Sequence, residues 1–118
     1  MTVKKVGVVG AGTMGSGIAT NIAQHGYPVH IVDVGASQVE GALAKARVFY
    51  QRQAERGRMS AAEAAAAGDR LRGGTELDAL GGCDLVIEAV FEQLDIKAEL
   101  YGRLIPRLAP GCLVATNT

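Results

Sequence analysis

Three glycines and one aspartate carry the clearest chemistry in this 118-residue sequence. Gly10, Gly12 and Gly15 stand in a G-x-G-x-x-G spacing inside the run GAGTMG. Such a loop binds a dinucleotide when it follows a strand and opens a helix. The first glycine permits the tight turn, the second leaves room for a pyrophosphate, and the third lets the helix pack on the strand. The helix N-terminus adds N–H donors and a partial positive charge. No Gly-Lys-Ser/Thr follows, which excludes a Walker-type loop here. Asp33 lies eighteen residues after Gly15. A carboxylate at that place accepts hydrogen bonds from ribose hydroxyls and repels a 2′-phosphate. Val34 and Gly35 follow it, with no arginine to receive that phosphate, so the expected cofactor is NAD and not NADP. The plainer alternatives are a ligand-free glycine turn and an aspartate that caps a turn.

Other chemistry is sparse. Glu88 interrupts an apolar run; it must sit at a strand end or be paired, because an unpartnered buried carboxylate is costly. His25 and His30 fall at a helix end and a strand start, on the edge of the sheet opposite a cofactor crevice, so both read as structural. No Ser/His/Asp or Cys/His set is legible, and no catalytic base is expected within these residues. Cys83 and Cys112 form no Cys-x-x-Cys pattern, so neither a zinc site nor a disulfide scaffold is expected and a reducing compartment is.

The elements that must hold these residues alternate in type. The valine-rich stretch Val3–Val9 predicts a strand. Met14, Ile18 and Ile22 mark a helix, stopped at Gly26. Val29–Val34 predicts a second strand. Ser37 and Glu40 form a capping-box pattern that opens a helix to about Arg56, ended by Gly57. Ser60 and Glu63 form another, opening a helix to Ala67 with Gly68 behind it. A short edge strand is expected within Arg70–Leu77. Asp84–Val90 has the pattern of a strand buried on both faces. Leu94, Ala98, Tyr101, Ile105 and Leu108 mark a helix that Pro106 should end near Ile105. Cys112–Asn117 predicts a last strand. Strand–helix alternation implies right-handed crossovers and a parallel sheet.

Composition agrees with one α/β domain. Hydrophobic residues make up 48%, too many for a disordered chain. Sixteen glycines and nineteen alanines against five aromatics favour close helix–sheet packing over base stacking. Twelve basic and twelve acidic residues give zero net charge, so neither a nucleic-acid nor a membrane-surface partner is expected. No apolar run approaches the roughly 18 residues of a spanning helix, and no signal peptide is recognised. The cytoplasm is the expected location.

The runs VGVVGAGTMGSGIA, IVDV, DLVIEAVFEQLDIKAELYGRL and ATNT together resemble the N-terminal NAD-binding domain of 3-hydroxyacyl-CoA dehydrogenases, the 3-hydroxybutyryl-CoA type above all. The resemblance implies a Rossmann-type, doubly wound parallel sheet, truncated, over residues 1–118. It implies that Gly10, Gly12, Thr13, Met14 and Gly15 form the pyrophosphate loop and that Asp33 binds ribose. Ala89 and Val90 would lie against the cofactor, Glu92 and Lys97 would contact NAD on its ribose side, and Asn117 would lie near the nicotinamide ribose. Arg52 and Arg56 match basic residues that touch CoA, whereas Phe49 stands where the family has a CoA-contacting serine. The family's catalytic His and Glu and its helical, dimerising C-terminal domain come later than Thr118. The chain is therefore expected to be an incomplete domain of a homodimeric acyl-CoA dehydrogenase of fatty-acid metabolism, binding NAD weakly and catalysing nothing by itself. Alternatives are a free-standing nucleotide-binding module and a related dehydrogenase of a sugar acid.

Overall fold

The computed structural model describes residues 2–90 and 94–116. Five parallel strands form one sheet: β1 (Val6–Val9), β2 (Val29–Val32), β3 (Leu71–Gly74), β4 (Leu85–Glu88) and β5 (Leu113–Thr116), in the order β3-β2-β1-β4-β5. The register sets Val6 beside Val29 and Leu85, and Leu85 beside Leu113. Four helices connect them: α1 (Thr13–Gln24), α2 (Ala36–Glu55), α3 (Ala61–Arg70) and α4 (Leu94–Leu104). This is the doubly wound Rossmann-type arrangement. The chain builds outward from β1 to β3, then returns to place β4 on the other side of β1. The crevice between the C-terminal ends of β1 and β4 is the topological switch point, where such sheets bind ligands.

Strand alternation divides the core in two. Val6, Val8, Val29 and Ile31 point to the side of α1–α3 and pack with Ala19, Ala23, Val39, Ala42, Ala46 and Tyr50. Val9, Val32 and Val86 point the other way, onto Leu77, Leu80, Cys83 and Leu104. Small residues on the buried stripe of α1 bring helix and sheet together. Tyr50 ties α2 to α1 by donating its hydroxyl to the Thr20 carbonyl at 2.6 Å, and burial pushes its pKa up to about 12.

Several boundaries differ from the sequence pattern. β1 starts at Val6 and not Val3, because the Lys4 and Lys5 amides donate to the Asp84 carboxylate at 2.8 and 3.1 Å. These two bonds hold the Asp84 carboxyl below its ordinary pKa. β2 ends at Val32, before Asp33. The Ser37/Glu40 box does not form: α2 begins at Ala36 behind Gly35, without a side-chain cap, which turns Val39 and Ala42 into the core. The Ser60/Glu63 box does form, with Glu63 N–H to Ser60 Oγ at 3.0 Å and Ser60 N–H to Glu63 Oε1 at 3.3 Å. α3 runs past Gly68 to Arg70 and feeds β3 directly. Gly68 serves as a packing position under Arg47, whose Nη1 would lie 3.2 Å from an added Cβ.

β4 spans Leu85–Glu88, inside the expected range, but it is not buried on both faces. α1–α3 pack mainly over β1–β3, leaving Leu85 and Ile87 half-buried and Leu113 of β5 exposed. The edge strand expected near residues 70–77 is β3, and α4 gives way to a 3-10 turn at Ile105–Arg107, as Pro106 dictates. In α1, Met14 is exposed and outside the buried stripe, which runs through Gly15, Ala19 and Ala23.

Candidate functional site

The loop between β1 and α1 is fixed by contacts that only glycine allows at two positions. Gly10 has φ +111°, and a Cβ there would stand 2.5 Å from the Ala89 carbonyl oxygen. Its N–H donates to the Val32 carbonyl at 2.8 Å, and the Ala89 N–H donates to the Val9 carbonyl at 2.8 Å. The loop is thus clamped between the ends of β2 and β4. At Gly15 an added Cβ would fall 1.8 Å from the Gly10 oxygen, so α1 begins in backbone contact with the loop. Gly12 is the opposite case: it is exposed, and an added Cβ would meet nothing within 4 Å. Space is open there, beside the helix end whose first bond runs from Ser16 N–H to the Gly12 carbonyl at 2.9 Å.

Asp33 faces this loop. Its Oδ2 accepts from the Ala11 N–H at 2.8 Å, and its Oδ1 lies 3.4 Å from the Gly35 N–H. Its own N–H donates to the Gly74 carbonyl at 3.3 Å. The carboxylate therefore links the glycine loop, the end of β2 and the start of α2. An ionised carboxylate has about four acceptor positions, so capacity remains for a ligand's hydroxyls. The Ala11 bond was missed from sequence, because it joins residues 22 apart.

On the other side of the crevice stands Glu88, the last residue of β4 and fully buried. Oε2 accepts from the Val90 N–H at 2.9 Å. Oε1 accepts from Thr116 Oγ1 at 2.9 Å and Tyr101 Oη at 3.1 Å, and pairs with Lys97 Nζ at 3.4 Å. Burial alone would raise the Glu88 pKa; the Val90, Thr116 and Tyr101 hydrogen bonds and the Lys97 charge outweigh it and hold the carboxyl below its ordinary value. Burial first, and then the adjacent carboxylate, push Tyr101 up. Glu88 meets both conditions the sequence sets, a strand end and pairing; its tyrosine, threonine and lysine partners are brought to it by the fold and not by local spacing.

The remaining candidates divide. Ala89 and Val90 lie at the crevice, against Gly10. Thr13 and Met14 open α1, both exposed. Glu92 and Asn117 lie outside the described residues. Arg52 and Arg56 are exposed at the far end of α2, about 24 and 30 Å along the helix axis from its start. Arg52 borders a shallow groove with Lys45, Val48 and Phe49, apart from Asp33. Neither histidine reaches the crevice. His25 ends α1 with Nδ1 2.7 Å from the Asn21 carbonyl, and His30 is the second residue of β2, its pKa lowered by burial and by the Lys5 and Arg72 charges. Among the described residues no cluster of His, Cys, Asp and Glu is arranged to hold a metal.

A glycine loop with open space at Gly12, a helix N-terminus and a carboxylate with spare acceptors fit an NAD pyrophosphate and ribose. The sequence model described as "3-hydroxyacyl-CoA dehydrogenase, NAD binding domain" matches residues 5–118. The chain belongs to this family. Its cofactor is NAD. The chain is 36% identical over 118 residues to the 3-hydroxyadipyl-CoA dehydrogenase of Escherichia coli, covering all of this chain and 25% of that protein. It is 35% identical to the 3-hydroxybutyryl-CoA dehydrogenase of Bradyrhizobium diazoefficiens, covering 98% of this chain and 40% of that protein. The crystal structure of (S)-3-hydroxybutyryl-CoA dehydrogenase from Ralstonia eutropha superposes with a TM-score of 0.93 at 33% identity, over 99% of this chain and 41% of that one. The chain thus spans a quarter to two-fifths of the length of these relatives. No helix among the described residues is long and apolar enough to cross a membrane.

Proposed function

We propose that this chain is the cofactor-binding part of an NAD-dependent dehydrogenase that oxidises the 3-hydroxyl of a 3-hydroxyacyl-CoA, of the 3-hydroxybutyryl type. The carrying observation is the open space at Gly12, flanked by the start of α1 and faced by Asp33 across the Ala11 N–H. Gly10, Gly12, Thr13, Met14 and Gly15 form the pyrophosphate loop: Gly10 and Gly15 set its shape, and the N–H groups at Gly12, Thr13 and Met14 with the helix dipole meet the anion. Asp33 accepts from the adenosine ribose and rejects a 2′-phosphate. Ala89 and Val90 form the wall behind the dinucleotide, Glu92 and Lys97 contact it on its ribose side, and Asn117 lies near the nicotinamide ribose. Bound NAD supplies a hydride acceptor for the carbon that carries the hydroxyl. The residues of this chain orient that acceptor; the base that takes the hydroxyl proton comes from the further part that the longer relatives possess.

Arg52 and Arg56 bind the CoA portion of the substrate, with Phe49, which lines the groove beside Arg52, lending apolar contact. The parent acts as a homodimer in the cytoplasm, where Cys83 and Cys112 stay reduced, and it meets neither nucleic acid nor membrane. The test is acetoacetyl-CoA reduction followed by loss of NADH absorbance, on this chain and on a form extended to the relatives' length. Turnover by the extended form alone is expected. Turnover by the 118-residue chain would refute the account of the base, and an extended form that binds NADH yet reduces no 3-oxoacyl-CoA would refute the substrate assignment.

A further inference from the structure

Glu88 carries more hydrogen bonds than a strand end needs. Its carboxylate gathers one backbone N–H from the crevice wall (Val90), two hydroxyls (Tyr101 of α4 and Thr116 of β5) and the ammonium of Lys97. Val90 follows β4, Thr116 ends β5, and Lys97 and Tyr101 stand one turn apart on α4. Neutral acceptors would satisfy the hydroxyls and the amide. Only the ammonium requires a negative charge, and its position is informative. Lys97 is the fourth residue of α4, so its charge lies near the positive end of that helix, where a cation is disfavoured. Its side chain is only 13% exposed, so water does little to stabilise it. A buried charge in such a place persists when it is paired and hydrogen-bonded. The Val90 bond acts on the same rim: Ala89, its neighbour, supplies the carbonyl against which Gly10 packs.

We propose that Glu88 is a positioning residue for the cofactor, its buried carboxylate holding the Lys97 ammonium in the arrangement that NAD meets. This rests on the cofactor reading given above, in which Lys97 contacts NAD. Glu88 itself touches no ligand and acts through Lys97. Tyr101 and Thr116 both donate to Oε1, the oxygen that faces Lys97, and so fix where that oxygen lies. A purely structural Glu88 would join β4, α4 and β5 and leave cofactor affinity indifferent to its charge.

The experiment is a double-mutant cycle on the full chain, with NAD affinity read by calorimetry and stability read separately by urea denaturation. Glu88→Gln keeps an oxygen for Tyr101 and Thr116, removes the charge and gives up the Val90 bond; that last loss is the same with or without Lys97 and cancels in the cycle. The variant is expected to weaken NAD by about tenfold when Lys97 is present and by less than about threefold in the Lys97→Met background. Equal loss in both backgrounds, or Glu88→Gln binding within about twofold of wild type, overturns the proposal. Wild type that fails to bind NAD overturns the cofactor reading instead, so the two failures are distinct. If Glu88→Gln does not fold, the wild type still decides. Saturation with NAD must move the Lys97 ¹⁵Nζ resonance, and an unmoved resonance at saturation overturns the proposal.

Discussion

Replacing Asp33 with asparagine separates its two jobs. In the structure the side chain accepts from the Ala11 N–H at 2.8 Å and lies at 3.4 Å from the Gly35 N–H. Asparagine presents its oxygen to Ala11 and keeps the shorter bond. Its amide then faces the Gly35 N–H, and the longer, weaker bond is lost. The expected loss of stability is small, about 0.5–1 kcal/mol. The effect on ligands is larger. Two ribose hydroxyls that donate to a carboxylate gain about 1.5–3 kcal/mol each; to a neutral oxygen they gain about 0.5–1.5. The difference is about 2 kcal/mol in all, or about thirtyfold in the NAD dissociation constant. For NADP the sign reverses. A carboxylate about 4 Å from a phosphate charge costs about 1 kcal/mol even at the dielectric constant of water, so removing it strengthens NADP about fivefold. The NADP-to-NAD preference should therefore move by roughly a hundredfold. Calorimetric titration of both nucleotides, below the unfolding range of the variant, reads this directly. A preference that moves by less than about threefold would refute the ribose role and leave Asp33 as a turn residue.

Two neighbouring glycines should behave in opposite ways. Gly15→Ala puts a methyl 1.8 Å from the Gly10 oxygen, so urea denaturation should show a loss of about 1–3 kcal/mol along with lost NAD binding. Gly12→Ala meets nothing in the protein, so stability should change by less than about 0.5 kcal/mol while NAD binding weakens; unchanged binding would place the pyrophosphate elsewhere. Stability should also depend on pH through Glu88. Its folded pKa is depressed, so its contribution is fully present above the ordinary carboxylate value and is lost as pH falls through the lowered folded value. Urea midpoints should fall in that acid window, and Glu88→Gln should flatten the fall. A variant as acid-sensitive as wild type would mean that Asp84 and other carboxylates carry the dependence.

Residues close in sequence announced the cofactor side of the site. The glycine spacing and the aspartate after the second strand are local patterns, and the chain geometry that satisfies them is local too. The rest required the fold. The Ser37/Glu40 pattern suits a helix start, yet the turn after Asp33 delivers the chain into α2 earlier and buries Val39 and Ala42. Gly68 looked like a stop; a long arginine from α2 lies over it, and the helix continues beneath. Met14 fitted a helical stripe by spacing, but α1 turns its small residues inward because the sheet lies so close. The Glu88 cluster joins residues 13 and 28 positions apart, on elements whose adjacency is decided by strand order. No periodicity in the sequence encodes that order.

The most direct measurement is a thermal-shift titration of this chain with NAD and NADP in parallel. At about one hundred times its dissociation constant, a specifically bound ligand adds about 2.7 kcal/mol, several degrees for a domain of this size. The account predicts a saturable rise with NAD and a rise with NADP only at much higher concentration. Equal shifts with both nucleotides, or none with NAD, would contradict it.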